Sequence, residues 1–407
     1  MASENLFDIF QASVVGQEEL EQILGGYFHG ASGLSPDEIV YPGHKTEYAL
    51  KLRYSNGSLA SIEPGPKLTT DDIETIKCKI ATDILAAAGT HVGRALLFSA
   101  VPVVGYFKYR DVIQILPVPP EAPQHQSFSI MGGHPFLLEF RFPSSPNPMI
   151  RMTRRMVRQR ELELLLAGLL EYSIRGLGPV RFHWVLQPHD RPDQWSSVCL
   201  QEGYTWPGAS FEADDFTRAE TLPRVTEVDF STYYRQFGIS FNQVFEVPKD
   251  LALLLDRFFA LPKGDRDRFL RSCFWLRHSH AVHHYSRSAA FTALISAVEA
   301  LFPDKESSAV CEYCKHPLGP GPTQRFADFV ERYAPGGGLS ERERKKFYWM
   351  RSALSHGGSL LHSDRPEVSF ALTPDQIGEW QNATTTSKLV RIVLVNWLSD
   401  YSSDAVS

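Results

Sequence analysis

The spacing of apolar residues changes character once along this chain, and that change limits what it can fold into. Before about residue 226, apolar side chains recur at every second position in several short runs. Tyr48, Leu50, Leu52 and Tyr54 alternate with polar residues, as do Phe136, Leu138, Phe140 and Phe142, and again Val180, Phe182, Trp184 and Leu186. Successive side chains on a strand point to opposite faces, so each run predicts a half-buried strand. After about Glu227 the apolar positions recur every three or four residues, the period of a helix with one face in a core. The two patterns in succession predict an α+β domain over residues 1–226 followed by an all-α bundle over 227–407. A chain of 407 residues is also too long for one ordinary core.

Within the first part, Thr70-Asp71-Asp72 has the composition of a helix start, and Ile73, Ile76, Ile80 and Ile84 follow at helical spacing. Residues 101–118 read as strands broken by Pro102, Gly105 and Pro117, and 153–174 as a helix that Gly176 to Pro179 stops. The stretch 188–222, rich in Asp, Pro, Ser and Gly, reads as a loop with little regular structure. In the second part, helices are expected over 251–261, 266–285, 288–302, 324–333, 340–355 and 374–401. They are expected to make a bundle of four or five antiparallel helices.

The helix from Ser340 has the clearest signals of both its ends. Ser340 with Glu343 makes a capping box, and Gly357-Gly358 permits a stop. Phe347, Met350 and Leu354 form its core-facing stripe, with Arg351 at the edge of that stripe. Ser355 lies one turn after Arg351, and His356 follows at the helix end, with four residues between it and Arg351. Arginine offers a fixed cationic fork to a phosphate, and histidine moves a proton near neutral pH. A cation, a hydroxyl and an imidazole at one helix terminus are groups that could cut a phosphodiester without a metal. One helix supplies one such histidine, so separate acid and base groups need a second. The spacing by itself also fits an arginine in a surface ion pair and a histidine that caps the helix C-terminus.

The segment Phe347-Tyr348-Trp349-Met350-Arg351-Ser352-Ala353-Leu354-Ser355-His356-Gly357-Gly358 resembles the Arg-x4-6-His signature of HEPN-domain ribonucleases, and most of all their ApeA-like group. The resemblance covers about residues 251–403 and is strongest over 291–356. Residues 291–302 look like the family's second long helix, which often carries an acidic residue near the motif arginine, here Glu299. The resemblance implies an all-α HEPN-like bundle and a metal-independent endoribonuclease, active as a homodimer whose motif helices face each other. Arg351 would orient the phosphate, His356 would transfer protons, and the product would carry a 2′,3′-cyclic phosphate. It further implies a role in bacterial defence against phage by abortive infection, through cleavage of RNA, with tRNA foremost. The N-terminal domain would then be a sensor or regulator that answers a phage-derived trigger. Many members have Asn, Asp or His directly after the arginine, where this chain has Ser352. That departure leaves open a catalytically silent HEPN dimer that only binds RNA or a protein.

Secondary signals point elsewhere. Cys311-Glu312-Tyr313-Cys314-Lys315-His316 is half of a zinc site, structural if filled, to which His316, His362 or the same loop of a second copy would add ligands, and the same residues also fit a reduced, unliganded loop. It keeps open a zinc-stabilised scaffold protein. Arg151, Arg154, Arg155 and Arg158 fall on one helix face and could follow an RNA backbone, although a solvated face has the same pattern. His278, His280, His283 and His284 cluster on one helix, with His280 and His284 a turn apart. The net charge of -6 argues against bulk attraction to nucleic acid. No Gly-rich phosphate loop or Gly-x-Ser-x-Gly elbow supports an NTPase or a serine hydrolase. Five cysteines are an odd and sparse set for disulfides. The first residues are acidic, and the longest apolar run, 291–302, is too short to span a bilayer. A cytoplasmic protein without a membrane partner is therefore expected.

Overall fold

A computed structural model of the chain describes residues 5–42, 47–86, 89–122, 133–170, 174–176, 182–187, 197–202, 206, 208–235, 244–303, 320–335, 339–365 and 373–401. The chain forms two compact units that are interleaved in sequence. One holds residues 1–93, 140–159 and 212–216, and the other 94–139, 160–211 and 217–407. The division therefore does not fall at residue 226, where the apolar pattern changes. Pattern reports local structure, and the partition follows which residues pack together.

The first unit begins with α1 (Leu6–Ile9) and α2 (Gln17–Phe28). An antiparallel sheet of β1 (Ser32–Ser35), β2 (Glu38–Tyr41), β3 (Leu50–Ser55) and β4 (Ser58–Pro64) follows in that order, with Leu52 opposite both Ile39 and Ile62. Then comes α3 (Thr70–Lys79), which continues as a wider π-helical turn over Ile80–Leu85. Its N-cap is Thr69, one residue before the expected start, in a capping box with Asp72. The isoleucine spacing reports a real face: Ile76, Ile80 and Ile84 are buried with Leu20, Leu24, Leu50 and Leu52 in one core.

The strands β5 (Thr90–Ser99), β6 (Phe107–Tyr109), β7 (Ile113–Pro117) and β8 (His134–Pro143) follow, then the long helix α4 (Pro148–Leu169). β5, β8 and α4 each contribute residues to both units. Phe136, Leu138, Phe140 and Phe142 on β8 are all buried, as their alternation predicts. Helix α4 starts and ends five residues earlier than expected, so Ile174 lies outside it. After β9 (Arg175–Gly176) and β10 (Phe182–Gln187), the stretch read as loop contains β11 (Ser197–Glu202), an antiparallel partner of β10, and β12 (Glu212–Ala213). The larger sheet has the order β12-β5-β8-β7-β6, with β9 on β5. β13 (Thr226–Val228), α5 (Phe230–Arg235) and β14 (Glu246–Pro248) lead into the helices.

From residue 251 the described chain is helical: α6 (Leu251–Ala260), α7 (Lys263–Val282), α8 (Arg287–Glu299), α9 (Pro322–Tyr333), α10 (Glu341–Ser355) and α11 (Pro374–Asp400). Each of these six overlaps one of the six spans expected to be helical. Helix α8 packs against α7, α10 and α11. Its own residues explain this position: Ala290, Phe291, Ala293, Leu294, Ile295, Ala297 and Val298 are all buried, so it is apolar nearly all round. Thus a β-rich N-terminal region is followed by a C-terminal helical one. No helix among the described residues is long and apolar enough to cross a membrane.

Candidate functional site

Helix α10 presents the motif, and its two ends are held by the signals visible in the sequence. At the start, the Ser340 hydroxyl accepts from the Glu343 N–H at 3.3 Å, while the Glu343 carboxylate accepts from the Ser340 N–H at 2.7 Å. At the end, the Gly357 N–H donates to the Leu354 carbonyl at 3.2 Å and the Gly358 N–H to the Ala353 carbonyl at 2.9 Å. This pair of reversed bonds is a Schellman turn, and it requires the left-handed backbone of Gly357, at φ +71°. The turn places His356 at the C-cap, exposed, immediately before the chain leaves the helix.

The inner side of α10 is narrower than its apolar spacing predicts. Phe347 is buried, with its ring edge-on to Phe291 of α8 at 6.0 Å, but Met350 and Leu354 are only half-buried. The place expected for them on the inner side is shared with polar contacts. Tyr348 and Arg351 lie three residues apart, hence on one face, and both reach Glu299 in the last turn of α8. The Tyr348 hydroxyl donates to Glu299 Oε1 at 3.2 Å, and Arg351 Nη2 donates to Glu299 Oε2 at 2.7 Å. Tyr348 also lies against Phe326 of α9, with ring centroids 5.4 Å apart. Burial, and then the charge of Glu299, raise the Tyr348 pKa, so this hydroxyl stays a donor. Sequence reasoning reached Glu299 through the family resemblance and missed Tyr348, whose signal was its place one turn before the arginine.

Arg351 and Glu299 keep about a quarter of their side-chain surface exposed, at 26% and 23%. His356 lies beyond them along the helix. Five residues of α-helix correspond to about 7.5 Å of rise and roughly 140° of rotation, so the two motif side chains leave the helix in different directions. Among the described residues no side chain holds the His356 ring by a hydrogen bond. Ser352 is half-buried and Ser355 exposed, and the Ser352 carbonyl accepts the His356 backbone N–H at 3.1 Å. The structure therefore brings together Arg351, Glu299 and Tyr348, with His356 and Ser352 adjacent on the same helix end.

The other candidates fare differently. Arg154 donates to both Glu19 oxygens at 2.7 and 2.8 Å, and also to the carbonyls of Ser144 and Ile84. Arg151 and Arg155 both pair with Glu212, at 3.2 and 3.5 Å. Burial lowers the Arg155 pKa, and Glu212 opposes that shift. These three arginines face acids of their own unit, a commitment that their helical spacing could not reveal. Of the four histidines, His278 stacks on Phe274 at 5.8 Å, and His283 touches the Arg287 guanidinium. Among the described residues no group of three or more His, Cys, Asp or Glu side chains is placed to hold a metal ion. Cys311, Cys314 and His316 lie outside the described residues.

One buried acid was invisible in the sequence. Glu139 on β8 is fully buried. It accepts from Arg94 Nε at 2.8 Å, Gln114 Nε2 at 3.0 Å, the Thr217 N–H at 2.8 Å and the Thr217 hydroxyl at 2.6 Å. Four donors on two oxygens make it a structural anchor, with no lone pair left for chemistry. No family model, curated protein or solved structure matches the chain.

Proposed function

We propose that this protein is a metal-independent endoribonuclease of the HEPN type, with Arg351 and His356 as its catalytic pair. The observation that carries the reading is the contact of Arg351 with Glu299 at 2.7 Å, beside an exposed imidazole at the end of the same helix. Glu299 fixes one nitrogen of the guanidinium and leaves Nη1 available for a phosphate oxygen. Tyr348 takes the second Glu299 oxygen and so holds the carboxylate in place. His356 would take the 2′-hydroxyl proton, or give one to the leaving oxygen, as a general base or acid. Its ring has no orienting partner within the described chain, which favours a homodimer in which a second motif helix completes the site. Ser352 stands where a stronger polar group would assist. An RNA substrate, with tRNA foremost, and a role in bacterial abortive infection against phage follow from the resemblance.

The test is cleavage of total tRNA in EDTA by the native protein, Arg351→Ala and His356→Ala. The expected result is cleavage by the native protein alone, leaving 2′,3′-cyclic phosphate ends. Equal cleavage by all three proteins would remove Arg351 and His356 from the reaction. A second reading, a silent dimer that binds RNA or a protein, is favoured by one observation: the Arg351 charge is already matched by Glu299. It predicts RNA retention without cleavage in the same three samples. A scaffold role, zinc-stabilised through Cys311 and Cys314, would show as bound zinc with neither cleavage nor RNA retention.

A further inference from the structure

The first turns of α11 extend past the core. Its buried positions begin at Thr386, while Ile377 and Trp380, three residues apart on one face, are 43% and 62% exposed. Together with Ala383 and Leu361 they give apolar walls to a cavity of ≈ 420 Å³. That is the size of small-molecule sites, which combine apolar walls with a few placed polar groups. No other ring contacts the Trp380 indole among the described residues.

The polar groups at this cavity and beside it divide into side chains with donors to spare and acids that are already satisfied. The Gln376 side-chain oxygen accepts from the Thr373 N–H at 3.1 Å, which leaves its amide nitrogen as a donor. The Arg287 guanidinium touches the His283 ring and has no carboxylate partner among the described residues. Glu379 accepts from the His362 N–H, and from the Ser363 N–H and hydroxyl at 3.1 and 3.0 Å. Asp364 accepts from the Ser286 hydroxyl and the N–H groups of Arg287 and Ser288 at 2.7, 2.9 and 2.7 Å. A second, polar cavity of ≈ 320 Å³ shares Arg287 and Ser363 with the first and adds His283, His284, Tyr285, Ser286 and Asp364, whose carboxylate is already taken up by those three donors.

An apolar slot with a free indole, donors on its rim and a polar chamber next to it match the chemistry of one nucleotide. We propose that the two cavities form a nucleotide subsite. The slot holds an unpaired nucleobase stacked on Trp380, and the polar chamber takes the attached phosphate against Arg287 and the two histidines. A base within a duplex has no free face to stack, so the subsite selects single-stranded or looped segments. The subsite rests on the ribonuclease reading for its source of nucleotide, an RNA strand rather than a free nucleotide. The chain that leaves the motif forms its wall: Leu361 follows His356 by five residues, no more than about 18 Å of extended backbone.

The experiment uses full-length protein and a short fluorescent RNA, 2′-O-methylated so that it cannot be cut. Binding is followed by anisotropy for the native protein, Trp380→Phe, Trp380→Ala and Arg287→Ala, beside a duplex of the same sequence and AMP as competitor. The expected result is preference for the single strand, an affinity about tenfold weaker in Trp380→Ala, a comparable loss in Arg287→Ala and near-native binding in Trp380→Phe. Displacement by AMP at concentrations comparable to the RNA would support the subsite and assign it to a free nucleotide. Equal affinity in the native protein and Trp380→Ala, or no binding of any probe, would overturn it. So would light scattering that shows Trp380→Ala splitting a dimer without ligand, because the face would then belong to a second copy. The RNA cannot be cleaved, so a silent motif at His356 leaves this readout intact, and the two proposals fail separately.

Discussion

Arg154 on α4 and Arg351 on α10 each hold a glutamate from another helix at 2.7 Å, and both belong to groups that the sequence offers as RNA contacts. Their surroundings separate them. Arg154 gives donors to Glu19 and to the carbonyls of Ser144 and Ile84, so all three of its nitrogens are engaged. It is 15% exposed, in a pocket of its own unit, where such a guanidinium serves as a cross-brace. Arg351 is 26% exposed and gives one nitrogen to Glu299, and the next polar side chain beyond the helix end is an exposed imidazole. An arginine cluster thus becomes informative only when its unused donors are counted. Helical spacing shows which arginines share a face, and it does not show whether that face is already covered by acids.

The comparison makes a sharp division of effects between activity and stability. The largest expected effect belongs to His356→Ala, which should lower RNA cleavage by about 10²- to 10⁴-fold, the range of a lost general acid or base. Its exposed position predicts a stability change within about 0.5 kcal/mol. Cleavage rate and urea midpoint measured on the same preparation check both halves. A loss of rate accompanied by an equal loss of fold would place His356 with the structural residues.

Arg154→Ala is the mirror case. Removing one partner of a largely buried pair leaves Glu19 charged and unmatched, for an expected loss of about 3 kcal/mol. The RNA affinity of the folded variant should stay unchanged. Urea unfolding gives the first number and a binding isotherm below the unfolding midpoint gives the second. If the variant folds normally but binds RNA more weakly, the brace and the contact have been assigned to the wrong arginines. Glu299→Gln is expected to lie between these extremes. It leaves one acceptor oxygen for Tyr348 and Arg351 to share and removes the charge, so a roughly tenfold fall in kcat, with KM held within about twofold, is expected for an orienting group. Cleavage kinetics over substrate concentration decide it, and a rate above the native one would mean that Glu299 holds Arg351 back.

Much of the helical region could be read from the sequence because its signals are local. Ser340 and Glu343, and then Gly357, set the ends of α10 through contacts within a few residues, and the bonds expected of them are present. The alternation of β8 survives for the same reason, since a strand with one buried face must alternate. What escaped depends on partners far along the chain. Glu139 meets Thr217 across 78 residues, and the partition into units joins 140–159 to the first unit and 94–139 to the second. Nothing near residue 139 announces either fact. Within the candidate site, Arg351 and His356 came from the motif and Glu299 from the resemblance. Tyr348 and the acids at residues 364 and 379 escaped, because each bonds to a partner on another segment.

Asp364 gives the smallest expected effect and tests how the segment behind the motif is held. It caps the N-terminus of α8 from 78 residues beyond Ser286, so it ties the chain that leaves His356 to the helix that carries Glu299. Burial alone would raise its pKa, but the donors of Ser286, Ser288 and Arg287 outweigh it and hold the carboxyl below its usual range. A folded pKa below the unfolded value of about 3.9 means that the stabilisation is present above that value and disappears as pH falls through the folded one. Asp364→Asn keeps the shape and removes the charge at the helix terminus, for an expected loss of about 1 kcal/mol at pH 7. The native protein and the variant should converge in stability as pH falls below the folded pKa of Asp364, where both groups are neutral. Thermal unfolding of the pair from pH 7 downward through that transition measures this, and a gap that persists at the acid end would assign the effect to lost hydrogen bonds rather than to charge. If the gap closes as expected, the anchor behind His356 is electrostatic, like the Arg351–Glu299 contact in front of it.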